Sequence, residues 1–325
     1  MSNNTEELAS YEIAVLVPCL NEEPTINKVI NDFKIVLPSA KIYVYDNDSK
    51  DHTSDIAREA GAIVRTELLK GKGNVVRRMF ADIEADIYVL VDGDDTYSAD
   101  YAPRMVSHLV NEHLDMVNGV RIANDQSSFR PGHLMGNRIL SGLVSSIFGK
   151  GLGDLFSGYR VFSRRFVKSF PALSSGFEIE TEFTIHALEL RMRVAEVESP
   201  YKTRPAGSES KLNTIKDGLK VLKTIIVFIK EERPFQLFTL VSFILAIISI
   251  LLAMPIFVEY FETGLVPRFP TAILCSALMI LSFLSFYAGL ILDTVTTTRR
   301  EMKRLHYLRQ PALRLSNCKT NVSKK

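Results

Sequence analysis

With 325 residues, 46% of them hydrophobic and 23% charged, the chain has room for one large domain and an appendage. Its formal net charge is only +2, and with no recognisable nucleic-acid motif either, no nucleic acid partner is expected. Cys19, Cys275 and Cys318 lack metal-ligand spacing, and the polar, acidic residues 1–10 lack the apolar stretch of a secretory signal.

In chain order, residues 12–18 (EIAVLVP) read as a first buried strand. A loop through Asn21, Glu22 and Glu23 follows, and Pro24 suits the first turn of a helix whose Ile26, Val29, Ile30, Phe33 and Val36 recur at helical spacing. Residues 41–46 (KIYVYD) form a second strand ending in Asp46, residues 47–53 a polar turn, and residues 54–60 a helix. A short strand at 62–65 precedes Gly71-Lys72-Gly73-Asn74, which opens a helix reaching Glu84. This glycine pair lacks the spacing of a Walker loop and reads first as a helix start, with Lys72 within reach of a nucleotide. Residues 87–91 (IYVLV) are a buried strand running straight into Asp92-Gly93-Asp94-Asp95. A helix at 100–111 and a strand at 115–119 continue the alternation, which predicts an α/β fold with a mostly parallel sheet.

Parallel strands end at one edge, where open α/β sheets bind their ligands, so Asp46 and Asp92/Asp94 are expected on one rim. Hard cations prefer carboxylate oxygens, and Mg2+ usually takes one or two of them plus substrate phosphates. The acidic tip is therefore expected to hold Mg2+ or Mn2+ at Asp92 and Asp94, on the diphosphate of a nucleotide-sugar donor. The alternative is a solvated acidic turn.

Three ordered stretches carry a resemblance: Val17-Pro18-Cys19-Leu20-Asn21-Glu22-Glu23, then Asp46-Asn47-Asp48-Ser49-Lys50-Asp51-His52-Thr53, then Asp92-Gly93-Asp94. Together they resemble the family 2 inverting glycosyltransferases of the GT-A fold, and most nearly the polyprenyl-phosphate branch that includes dolichyl-phosphate mannose synthases. Downstream, residues 153–162, 176–182 and 204–212 are similar to further stretches of that branch. The resemblance implies nucleotide-sugar contacts at Pro18, Leu20, Glu22, Val44, Asp46, Asp92, Gly93 and Asp94. It also implies diphosphate contacts at Arg204 and Lys211. Leu20 replaces a usual aromatic, Thr96 a common Gln, and the step from Arg204 to Lys211 is one residue longer, which leaves base and sugar open.

For an anionic lipid phosphate, arginine supplies fork-like cationic donors. Arg121, Arg130, Arg138 and Arg160 are the candidates, with a solvated basic loop as the alternative. Asp154 and Glu180 are candidate catalytic or aligning carboxylates; Glu178 and Glu182, at i,i+4, read equally as helix-capping residues. The apolar stretch 134–148 reads as core or as an interfacial helix, and 212–233 as a basic amphipathic juxtamembrane helix. Residues 234–258 and 269–292 carry no charge and are long enough to span a bilayer. Lys and Arg flank the pair, so the positive-inside rule places the domain 1–211, the basic tail 294–325 and both termini in the cytoplasm. The spans also offer a surface for self-association into a homo-oligomer.

The expected reaction joins a sugar to a polyisoprenyl phosphate, dolichyl or undecaprenyl, with inversion implied by the resemblance. Two alternatives stand beside it. Direct transfer to a glycan or glycolipid hydroxyl would require Asp154 or Glu180 as base. A non-catalytic nucleotide-sugar-binding membrane protein would not use them.

Overall fold

The computed structural model describes Leu8 and residues 10–123, 153–203 and 233–313. They fall into two units, Met1–Leu222 with Lys303–Lys325, and Lys223–Met302.

In the first unit the chain runs β1 (Ile13–Cys19), α1 (Ile26–Val36), β2 (Lys41–Asp46), α2 (Thr53–Glu59), β3 (Ile63–Thr66), α3 (Lys72–Asp82), β4 (Ile87–Leu90), α4 (Ala102–Asn111), β5 (Met116–Ala123), β6 (Arg160–Ser163), α5 (Arg164–Ser169), α6 (Ile179–Glu189) and β7 (Val194–Tyr201). The strands form one sheet in the order β3-β2-β1-β4-β6-β5-β7. Only β6 runs antiparallel to its neighbours. The apolar runs of β1 and β4 are buried because helices cover both faces of the sheet. Val15, Val17 and Val89 pack with α1 and α4 on one face; Leu16, Tyr88 and Leu90 pack with α3 and the Phe162–Phe166–Phe183 group on the other. Sequence periodicity does not announce β6 and β7. Arg160 opens a four-residue strand, and β7 alternates too weakly.

Residues 303–313 belong to this unit. Tyr307 Oη donates to Asp115 Oδ2 at 2.9 Å, with the Arg165 guanidinium 4.9 Å from its ring centroid. Lys303 pairs with Glu189 at 2.7 Å, Gln310 accepts from Arg164 and Arg165, and Leu313 packs against the core. Asp115 opens β5 and Arg164 follows β6, so this segment covers the amino edge of the sheet, opposite the acidic tips. Residues 303–313 are thus part of the α/β unit rather than of a free tail.

The second unit contains most of two long helices, α7 (Pro234–Thr263) and α8 (Phe269–Arg309), with mean hydropathy of 2.8 and 2.1 over their most apolar windows. Both are long and apolar enough to cross a bilayer. They extend past 258 and 292 because a helix does not stop where charge begins; Gly264, at φ +68°, ends the first. Small residues recur every seventh position: Ser242 and Ser249 on α7, and Cys275, Ser282 and Gly289 on α8. Ser249 Oγ donates to Cys275 O at 2.8 Å, Ser282 Oγ to Ser242 O at 2.8 Å, and a Cβ on Gly289 would lie 2.9 Å from Phe238 Cβ. A seven-residue seam of small and hydroxylated residues allows close helix approach in an apolar medium. Here the hairpin uses that seam internally.

Candidate active site

Register brings the carboxyl ends of β1, β2 and β4 to one rim: Cys19 lies opposite Asp46, and Leu16 opposite Leu90. The loops leaving these strands are stitched together. Asn21 N donates to Ser49 Oγ at 2.8 Å, Ser49 Oγ donates to Asp46 Oδ1, and Glu22 N donates to Thr53 Oγ1 at 2.9 Å. Thr25 Oγ1 donates to Gly93 O at 2.7 Å, and a Cβ on Gly93 would lie 2.6 Å from Cys19 Sγ, so only glycine lets the acidic loop seat against β1. Asp46, Glu22 and Asp94 are buried along this rim, while Pro18, Leu20 and Asp92 keep part of their surface accessible.

Within the acidic loop the carboxylates differ. Asp94 Oδ1 accepts from Thr96 N and Oγ1 at 3.2 and 2.6 Å, so Thr96 orients it. Asp95, in the left-handed region at φ +53°, pairs with Lys28 at 2.8 Å and Lys202 at 3.6 Å. Lys202 N also donates to Thr96 O at 2.9 Å, and Tyr97 bridges Tyr201. The acidic loop is therefore bound to the end of β7 just before Arg204. Arg204 and Lys211 themselves lie outside the described residues, as do Arg130 and Arg138, the stretch 134–148 and all but the last residue of the helix expected over 212–233.

Asp92 has a partner the sequence did not reveal. Lys72 Nζ bridges Asp92 Oδ1 and Glu180 Oε1, the latter at 2.7 Å. The Lys72 and Glu180 side chains are 6% and 8% exposed, against 27% for Asp92. The Gly-Lys-Gly pattern now has a reason. A Cβ on Gly73 would lie 2.8 Å from the carbonyl carbons of Ser174 and Ser175, and Gly71, at φ +120°, meets Ser175 O. Glu182 holds that loop by accepting from Leu173 N and Ser174 N at 2.9 and 2.8 Å; it is structural, and Glu178 sits at the N-cap of α6. Asn47 Oδ1 accepts from Gly71 N at 2.7 Å. Burial works against the Lys72 charge, yet Asp92 and Glu180 together raise its pKa. Burial pushes the Glu180 carboxyl up, with Lys72 pulling the other way.

Arg121 and Asp154, separate candidates in the sequence, form one bidentate pair, Nε–Oδ2 at 2.7 Å and Nη2–Oδ1 at 2.8 Å. The guanidinium lies 5.4 Å from the Tyr201 ring centroid. Burial opposes the Asp154 charge, but Arg121 and the backbone N–H groups of Arg121 and Phe156 outweigh it and hold the carboxyl below its usual range. Two expectations are corrected by burial. Arg160 is 0% exposed and gives its donors to Ser157 O, Leu155 O and Thr184 Oγ1, so it braces the 155–160 turn and is not presented to an acceptor phosphate. Val44 is 0% exposed within the core, and its side chain is closed to a nucleoside.

A mostly parallel α/β sheet with a carboxylate-lined rim is the architecture of a GT-A glycosyltransferase domain. The profile of Glycosyl transferase family 2 matches residues 14–170. Glycosyltransferase AglJ of Haloferax volcanii is 31% identical over 91% of this chain and 98% of its own length. A dolichyl-phosphate hexose transferase of the same organism is 28% identical over 68% of this chain and 96% of its own. In fold, the α/β unit is similar to glucosyl-3-phosphoglycerate synthase from Mycobacterium tuberculosis, solved with Mn2+, uridine-diphosphate and glucosyl-3-phosphoglycerate: TM-score 0.58, 22% identity, 70% of this chain and 82% of that one. The chain belongs to glycosyl transferase family 2 and is a glycosyltransferase.

Proposed function

We propose that the enzyme transfers a sugar from a UDP- or GDP-linked donor to a polyisoprenyl phosphate at a membrane. The observation that carries this reading is the pairing of Asp154 with Arg121 and of Glu180 with Lys72. A hydroxyl acceptor must lose a proton to a base in the transition state, and these are the two carboxylates a base role would call on. Both are held by cations. A phosphate monoester arrives already anionic and requires orientation instead. The relative named as a dolichyl-phosphate hexose transferase supports the same acceptor class. The carboxylate set does not favour a non-catalytic nucleotide-sugar sensor, since sensing alone gives no reason for a held acceptor-side arginine.

Pro18, Leu20, Glu22 and Asp46 would wall the nucleoside. Arg121, held by Asp154, would meet the acceptor phosphate, and Arg204 and Lys211 the diphosphate. Among the described residues no group of three or more His, Cys, Asp or Glu side chains could complete a metal cage. Asp92 and Asp94 are two carboxylates of one loop, a number suited to an ion that takes its other oxygens from diphosphate and water. They would hold Mg2+ or Mn2+, which when bound supplies charge neutralisation at the leaving diphosphate. α7 and α8 would span the bilayer with the catalytic unit and both termini in the cytoplasm, and any homo-oligomer would form on faces outside their shared seam.

The test is nucleoside diphosphate release from UDP- and GDP-sugars with Mn2+, comparing a short polyprenyl phosphate with the matching polyprenol. Turnover is expected only with the phosphate. Equal turnover with the alcohol would reject the acceptor assignment.

A further inference from the structure

We propose that Lys72 is a positioning residue for the reaction, its ammonium setting the Asp92 carboxylate for the donor's diphosphate and cation while Glu180 sets the ammonium. The inference rests on the donor-site reading above. A surface lysine could not do this, because its four-carbon stem would sample many rotamers. Lys72 is instead fixed at both ends. Its backbone is pinned by Asn47 at Gly71 and pressed against Ser174 and Ser175 at Gly73. Its Nζ is caught between two carboxylates that arrive from β4 and from the first turn of α6.

Asp92 is thereby confined on two sides. Lys72 takes Oδ1, and the missing side chain of Gly158 leaves just enough room for Oδ2. Glu180 is buried, and its side chain meets the rim through the ammonium of Lys72. Buried ion pairs are poor sources of net stability, since apolar replacements of similar volume are often as stable. A trio of two anions and one cation, opening to solvent only at Asp92, is better explained by the placement of Asp92 than by stability. Partners one step behind a metal ligand typically change metal affinity or activity about 10- to 100-fold when removed.

The experiment titrates Mn2+ against the full-length, detergent-solubilised protein in the presence of UDP and, separately, of GDP, reading free Mn2+ by EPR. Lys72→Met is expected to weaken Mn2+ binding about 10- to 100-fold, with Lys72→Arg recovering part of the loss. Glu180→Gln alone is expected to weaken it less, and to add little on top of Lys72→Met, because Glu180 acts through the lysine. A purely structural role predicts a lower Tm with unchanged Mn2+ affinity of the folded variant, and that result would overturn the proposal; so would losses for Lys72→Met and Glu180→Gln that simply add. If Lys72→Met does not fold, Glu180→Gln decides: a several-fold loss supports the proposal and an unchanged affinity rejects it. Wild-type protein that binds Mn2+ with neither nucleotide would instead reject the donor-site reading, and the proposal with it.

Discussion

Gly158→Ala tests how tightly the acidic tip is confined. Gly158 precedes Tyr159 at the entry to β6, and its N–H donates to Tyr97 Oη at 2.9 Å. Its backbone is not in the left-handed region, so alanine brings no conformational penalty there; the added methyl is the whole perturbation. That Cβ would lie 2.9 Å from both Asp92 Cγ and Lys72 Nζ, and closer still to Asp92 Oδ2. Separations this short are not tolerated, so the carboxylate or the ammonium must move. Lys72 is fixed by its clamped backbone, which leaves Asp92 to swing towards solvent. Overpacking of this kind costs about 1–3 kcal/mol, and a misplacement of about 1 Å at a reacting site costs about 100-fold in rate. The expected result is a fall in kcat/KM of about 100-fold with a Tm lowered by about 2–4 °C per kcal/mol. Gly153→Ala is the control, since its Cβ would meet nothing nearer than Glu196 Oε2 at 3.5 Å. Steady-state release of nucleoside diphosphate, with thermal unfolding of both variants, makes the comparison. A Gly158→Ala enzyme within twofold of wild type would show that Asp92 need not sit where Lys72 and Gly158 place it.

Asp154→Asn should loosen Arg121, with a stability loss of about 1.5–3 kcal/mol for weakening a charge-assisted pair and a KM rise larger for polyprenyl phosphate than for the donor. Equal KM changes for the two substrates would count against an acceptor role for Arg121. His186 should make the protein acid-sensitive: burial, with Lys303 adding to it, lowers its pKa to about 3 from an ordinary 6.5. A base with a depressed folded pKa contributes stability that is complete above pH 6.5 and lost as pH falls through the window towards 3, at most about 1.4 kcal/mol per unit. Urea unfolding between pH 7 and pH 5 should therefore show a loss of about 2 kcal/mol that His186→Gln lacks; the same loss in the variant would remove His186 as its cause.

What the sequence made legible was whatever has a local period. β1, β2 and β4 stand out as apolar runs, α1 by its spacing, the two long helices by uncharged length, and the rim by carboxylates closing two of the strands. β6 was invisible because its place depends on antiparallel pairing with β4 and β5, and no local pattern encodes partners 42 to 76 residues away along the chain. Arginine as a residue type suggested phosphate at position 160, but type says nothing of burial. Only the turn of Ser157 and Leu155 around its guanidinium shows that its donors are used up inside. Lys72 left a faint signal, two glycines beside a lysine with no turn to justify both. It became readable only once Ser174 and Ser175 were seen against them.

The same limit explains why single positions suggest candidate residues more easily than they describe their chemistry. Treated singly, Arg121 and Asp154 suggest a phosphate-binding cation and a possible base. Joined by two guanidinium hydrogen bonds they become one oriented guanidinium with its charge partly balanced, which counts against Asp154 as a base. Glu180 changes in the same way when Lys72 is found beside it. A carboxylate serves as a base only if its lone pairs are available to a proton, and a bidentate or buried ion pair takes that availability away. The choice between a hydroxyl and a phosphate acceptor thus turns on which charges neutralise each other, a property of pairs of residues that no single position carries.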